Sequence, residues 1–246
     1  MKKISMVWLG VFLANVGMAQ TVVRPAQAAA VEDLIENKKS IEPGKLSFGL
    51  KAGYSRFTIA GAGVNEFSTG GKPTSLSGGY YLGIELSTKI SQHWGFKHEL
   101  SLLQKGGVLK MEEEAYPDFD SKYRNVYLDI APFNLTFQME GLQFFLGPYA
   151  GVLLSSSIQR KNESGEIYTD KSIFGDAKQT GDYTQKLDAG LLTGLGYEFK
   201  NGINIQAKYT QGLAPLIEHT ERNEGQWKIY NRGFSVTLGY TLFGKR

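Results

Sequence analysis

Tyr80-Tyr81-Leu82-Gly83-Ile84-Glu85-Leu86-Ser87-Thr88-Lys89-Ile90 and Trp94-Gly95-Phe96-Lys97-His98-Glu99-Leu100-Ser101-Leu102, separated only by Ser91-Gln92-His93, decide the fold. Successive side chains of a β-strand point to opposite faces. In the first stretch Tyr80, Leu82, Ile84, Leu86 and Ile90 share one face, and Tyr81, Gly83, Glu85, Ser87 and Lys89 share the other. In the second, Trp94, Phe96, Leu100 and Leu102 stand against Gly95, Lys97, Glu99 and Ser101. Two such runs joined by a few residues read as an antiparallel hairpin.

The pattern recurs toward the C-terminus. Leu187, Ala189, Leu191, Leu195, Tyr197 and Phe199 oppose Asp188, Gly190, Gly194, Gly196 and Glu198. Ile203, Ile205, Ala207, Tyr209 and Leu213 oppose Asn204, Gln206, Lys208 and Thr210. Phe234, Val236, Leu238, Tyr240 and Leu242 oppose Ser235, Thr237, Gly239 and Thr241. Eight strands are expected between Lys45 and Phe243. Connections after the second, fourth and sixth are tight: Ser91-Gln92-His93, Met139-Glu140-Gly141 and Lys200-Asn201-Gly202. Connections after the first, third, fifth and seventh are long and polar. Bacterial transmembrane barrels have this asymmetry, with short periplasmic turns and long outer loops.

The polar face settles which way the barrel is turned. It is rich in glycine and carries isolated charges of both signs: Glu85, Lys97, Glu99, Asp129, Asp188, Glu198 and Lys208. An eight-stranded interior is just wide enough for side chains to fill, so glycine makes room there. Opposed charges in that space can pair, whereas an unpaired buried charge is costly. These residues are therefore expected to form a structural charge network in the lumen. The apolar face then meets hydrocarbon, and closure leaves no strand edge unsatisfied in lipid. The expected fold is an all-β, eight-stranded, antiparallel up-and-down transmembrane barrel. The fourth strand switches parity at Ala131-Pro132, which suggests a bulge. In the fifth, both faces of Phe144 to Leu154 are apolar, and periodicity does not orient them. His98 falls on the apolar face, with no role read from the sequence.

The N-terminus reads as a secretory signal peptide at residues 1–19. Lys2 and Lys3 precede an apolar core from Val7 to Val16, and Gly17 and Ala19 suit cleavage before Gln20. Residues 20–44 read as a periplasmic leader, and residues 45–246 as the barrel. No later run approaches the roughly 18 apolar residues of a membrane helix. Both chain ends are expected in the periplasm, since the strand number is even. The absence of cysteine excludes disulfides, thiolate metal sites and a Cys nucleophile. The formal net charge of +3 falls nearly to neutral once the signal is removed, so nucleic acid is not an expected partner.

Five stretches resemble the PorT-like outer-membrane β-barrel family of Bacteroidetes. They are Gly49 to Tyr54, Tyr127-Leu128-Asp129-Ile130-Ala131-Pro132, Gly147-Pro148-Tyr149-Ala150-Gly151, Gly194-Leu195-Gly196-Tyr197-Glu198 and Leu238-Gly239-Tyr240-Thr241-Leu242-Phe243. Ala131 is an extra residue relative to the family pattern, and Gly244-Lys245-Arg246 extend past the closing aromatic. The family is named for a member implicated in type IX secretion. The resemblance thus implies an outer-membrane address and an accessory part in protein export.

No catalytic, cofactor or metal site is expected. Ser155-Ser156-Ser157, with His219 beside Glu218 and Glu221, could supply a Ser–His–acid set but lack a spacing motif. Glu112, Glu113, Glu114, Asp118 and Asp120 read as a solvated acidic loop without calcium-loop spacing. Gly61 and Gly63 lack the strand-to-helix setting of a phosphate loop. The expected function is that of a non-enzymatic envelope barrel, accessory to secretion. Its expected partners are outer-membrane lipid or lipopolysaccharide and other envelope or secretion proteins. The alternatives are a narrow channel and a lipid-modifying enzyme.

Overall fold

The computed structural model describes residues 46–64, 75–113, 116–162, 164–171, 185–216 and 228–243, with the side chains of 110–118 outside that description. The signal at 1–19, the leader at 20–44, Glu114, Glu218, His219 and Glu221 lie outside the described residues. Among the described residues nine strands follow in order: β1 Leu46–Ala60, β2 Ser77–Lys89, β3 Trp94–Glu113, β4 Tyr116–Met139, β5 Leu142–Lys161, β6 Ile167–Asp170, β7 Leu187–Glu198, β8 Ile203–Gly212 and β9 Tyr230–Phe243. All pairs are antiparallel, and β1 pairs with both β2 and β9. Pairing of β4 with β5 and of β5 with β7 completes the ring. The expected eight strands thus form a closed up-and-down barrel.

The ninth strand, β6, was not expected. Pairing of β7 with β5 ends at Val152 and Leu187, while β5 runs on to Lys161. β6 folds back onto that otherwise open edge, from Ile158–Asp170 to Lys161–Ile167. The third connection also departs from expectation. β3 and β4 stay paired as far as Glu113 and Tyr116, so the stretch read as a loose loop is the tip of a hairpin. At 20 and 24 residues these strands far exceed the roughly 9–11 needed to cross a bilayer.

The tight turns have local causes. Glu140 and Gly141 both have positive φ, at 49° and 91°, which is the two-residue turn that matches strand twist. In the Lys200-Asn201-Gly202 turn, Gly202 at φ 91° closes a three-residue loop, and its N–H donates to the Phe199 carbonyl at 3.0 Å.

The expected bulge is present in β4. Lys97 faces Asn134 and Glu99 faces Ala131, which leaves His98 opposite both Pro132 and Phe133. Asp129 and Ala131 point inward above it, and Asn134 and Thr136 below it. His98 gains a role at this point. Its Nδ1 is hydrogen-bonded to the Pro132 carbonyl, and its ring meets Phe133 edge-on at 5.5 Å. The imidazole satisfies a carbonyl that the bulge removes from the ladder. The fifth strand is oriented by its neighbours: Phe145, Gly147, Tyr149, Gly151 and Leu153 point inward, and Phe144, Leu146, Val152 and Leu154 outward.

The outer wall carries the large apolar side chains. Leu238 is 59% exposed, Leu195 55% and Ile130 50%. A wall of that composition suits hydrocarbon and not water.

Candidate functional site

The barrel interior is filled in layers. Nearest the short turns, Lys97 donates to Gln143 Oε1 at 2.6 Å and pairs with Glu85 Oε1 at 3.1 Å. Gln143 Nε2 donates to Glu198 Oε2 at 2.7 Å. Above this, Lys51 binds Glu85, and also Glu99 at 2.6 Å and Gln206 Oε1 at 3.0 Å. Lys208 binds the other oxygen of Glu99 and the Tyr81 hydroxyl. Lys51, Lys97 and Lys208 are thus matched by Glu85, Glu99 and Glu198.

A second group lies nearer the long connections. Lys105, with its side chain 0% exposed, pairs with Asp129 at 2.7 Å and Asp188 at 2.8 Å. Asp188 Oδ2 also accepts from Tyr149 at 3.2 Å and Asn231 at 3.0 Å. The ammonium stands 4.4 Å from the Tyr149 ring centroid and 4.8 Å from that of Tyr127, within cation–π range. One lysine here serves two carboxylates, and neutral donors and aromatic faces complete the coordination.

Glycine makes this filling feasible. A Cβ on Gly194 would come within 2.4 Å of the Phe145 ring, and one on Gly151 within 2.1 Å of Asp129 Oδ1. These two inward glycines leave the neighbouring side chain a place to lie.

Beyond Lys105 the interior turns apolar. Phe57, Ile59, Leu109, Tyr123, Tyr127, Leu153, Ile158, Leu216 and Ile229 form one buried cluster toward the long connections. At the opposite rim a cavity of about 50 Å³, lined by Glu85, His93, Lys97, Gln143 and Glu198 among others, reaches inward only to the first ion pairs.

All seven sequence-nominated residues face the lumen. Glu85, Lys97, Glu99, Glu198 and Lys208 fall in the first group, and Asp129 and Asp188 in the second. Sequence reasoning missed the two lysines that connect them. Lys51 stands on the inward parity of β1 between Leu50 and Ala52, and Lys105 continues the inward parity of Lys97, Glu99 and Ser101. The signal was present in both places.

Ser156 is buried and donates to Asn125 Oδ1 at 2.6 Å, while Ser155 points outward. Among the described residues no group of three or more His, Asp or Glu is placed to hold a metal ion. Asp120 is exposed on the β3–β4 hairpin, and the side chains of Glu112, Glu113 and Asp118 lie outside the described residues.

Residues 26–218 match the family model described as the outer membrane protein beta-barrel domain. Among solved structures, the chain is similar to Neisserial surface protein A, at 12% identity and TM-score 0.43 over 79% of this chain and 97% of that one. It is similar to Ail of Yersinia pestis, in complex with the heparin analogue sucrose octasulfate, at 15% identity and TM-score 0.40 over 80% and 99%. It is also similar to OprG of Pseudomonas aeruginosa, at 12% identity and TM-score 0.44 over 81% and 97%. No curated protein matches it.

Proposed function

We propose that this chain, which belongs to the outer membrane protein β-barrel domain family, is a closed, non-conducting and non-enzymatic barrel that serves the envelope through surfaces outside the membrane. The observation that carries this reading is the occupied lumen. Lys105, Asp129 and Asp188 bridge it, and an apolar cluster covers them on the long-connection side. An ion crossing it would have to break these pairs and then pass the buried cluster of large apolar side chains above them, both costly steps. The charge network is in this view structural: it fills the barrel and fixes strand register.

The narrower reading is an accessory role in protein export, which rests on the PorT-like resemblance of the strand motifs. The long hairpin of β3 and β4 offers the contact surface. In this orientation the short turns and both chain ends are periplasmic. Surface protease on intact cells should cut between residues 161 and 178 and spare Asn201-Gly202, and the reverse pattern would invert the topology. Purified barrel in a planar bilayer should show no steady single-channel conductance. Robust conductance would replace this reading with the narrow channel. Crosslinking in cells should trap an envelope or secretion protein on the hairpin or on residues 20–44. Crosslinks to lipid alone would remove the export role.

A further inference from the structure

On four contiguous strands of the outer wall, the outward-facing apolar run ends at one rim without charge and at the other in a pair of arginines. The strands are β2, β1, β9 and β8. At the short-turn rim the runs end in Ile90, Leu46, Leu242 and Ile203. At the long-connection rim, Leu50, Ala52 and Tyr54 of β1 are followed by Arg56, and Val236 and Phe234 of β9 by Arg232. Both arginines are exposed. Arg56 faces Phe234, and Arg232 faces Thr58, so the two are diagonal neighbours across one strand pair. Side chains in that relation are within reach of each other, and like charges there repel.

Nothing described nearby neutralises them. The outward faces of β1, β2, β8 and β9 carry no carboxylate. The residues facing Arg56 are Gly78 and Phe234, neither with a side-chain acceptor. Gln211 faces Arg232, but its Oε1 accepts from Tyr209 and its Nε2 donates to the Gly212 carbonyl. Two adjacent guanidinium groups, placed where hydrocarbon gives way to headgroups, thus have no anion among the described residues.

We propose that Arg56 and Arg232 together bind a phosphate of the phosphorylated glycolipid in the leaflet on the long-connection side. A planar guanidinium presents parallel donors that match phosphate oxygens, and two of them can hold one dianionic group from both sides. The exposed Tyr54, just below Arg56 on the same face, suits the interfacial level this requires. The proposal rests on the outer-membrane reading and on the long connections facing outward.

The test uses the full chain refolded in phosphatidylcholine nanodiscs, titrated with bisphosphorylated lipid A and with the same lipid stripped of phosphate. The intact lipid should bind more tightly, and less so at high salt. The double variant Arg56→Gln/Arg232→Gln should weaken it about 25-fold, at roughly fivefold per cation. A heat-shifted gel band certifies that the variant is folded. If it is not, Arg232→Gln alone should still show the fivefold loss. Unchanged affinity in a folded variant, or indifference to phosphate removal, would overturn the site. So would equal binding of phosphatidylglycerol, which would make the wall a general anion surface. Conductance of the wild-type barrel would sink the closed-barrel reading while leaving this result standing, so the two failures are distinguishable.

Discussion

The membrane-level half of the barrel and its end beneath the long connections are built with opposite polarity. At membrane level, Leu50, Leu128 and Leu238 face out, while Lys51, Asp129 and Gly239 face in. A few residues further along the same strands, Arg56, Lys122, Arg124 and Arg232 face out, while Phe57, Ile59 and Tyr123 face in. In β1 and β9 the inversion occurs without a change of register, and in β4 it coincides with a register shift against β5 between Val126 and Tyr127. Each level turns its apolar side away from water, and water lies in a different direction at each. Below, hydrocarbon is outside and polar groups satisfy one another within. Above, headgroups and solvent are outside and large apolar side chains dominate the interior.

The contrast breaks most sharply if its buried charge is unbalanced. Lys105→Ala would leave Asp129 and Asp188 facing each other without a cation, at a cost of about 3–5 kcal/mol. Urea unfolding in micelles, read by heat-modified gel mobility, should show the loss. A cost below about 1 kcal/mol would mean that the second group does not hold the barrel. Leu128→Lys puts a charge against hydrocarbon and should cost about 2–4 kcal/mol near the bilayer midplane. The reciprocal change, Lys122→Leu, lies above the inversion and should stay within about 0.5 kcal/mol. Comparable costs for the pair would place the boundary elsewhere.

The upper end should respond as a core does. Ile59→Ala removes a 1% exposed side chain and should cost about 2–4 kcal/mol through the cavity it leaves, with insertion into vesicles unchanged. Smallest among the interior changes is Glu85→Ala, at about 1–3 kcal/mol. Lys51 keeps Glu99 and Lys97 keeps Gln143, so the first group has redundancy that Lys105 lacks. An intact heat shift and unaltered urea midpoint for Glu85→Ala would show that redundancy to be complete.

The polarity inversion also explains what could be read from the sequence. At membrane level, alternation is strict, and the parity of Tyr80 to Ile90 gave strand, face and medium together. The bulge at Pro132 was legible for the same reason, as a break in an otherwise regular phase. Lys51 and Lys105 are equally legible, since both lie on the inward parity of their strands. The upper end was not legible. There both sides of a strand mix polar and apolar residues, as at Leu153 to Ile158, and only the three-dimensional neighbours decide which side is buried. β6 had still less signal, since four residues paired on one side carry no period of their own. The partners of the charges were beyond parity too. It places Asp129 inside but cannot say that Lys105, and no other lysine, reaches it.

The seam between β1 and β9 sets the order in which this molecule can be made. Phe48 pairs with Phe243, and Ala60 with Tyr230, so the strand that begins the barrel is completed by the one that ends it. Every other neighbouring pair in the ring joins strands close in sequence, but this one joins the first strand to the last. Until that pair forms, the sheet has two bare margins, neither tolerable in lipid. Joining them carries the largest loop-closure penalty in the molecule. A chain truncated before Tyr230 would therefore keep both margins of the sheet unpaired.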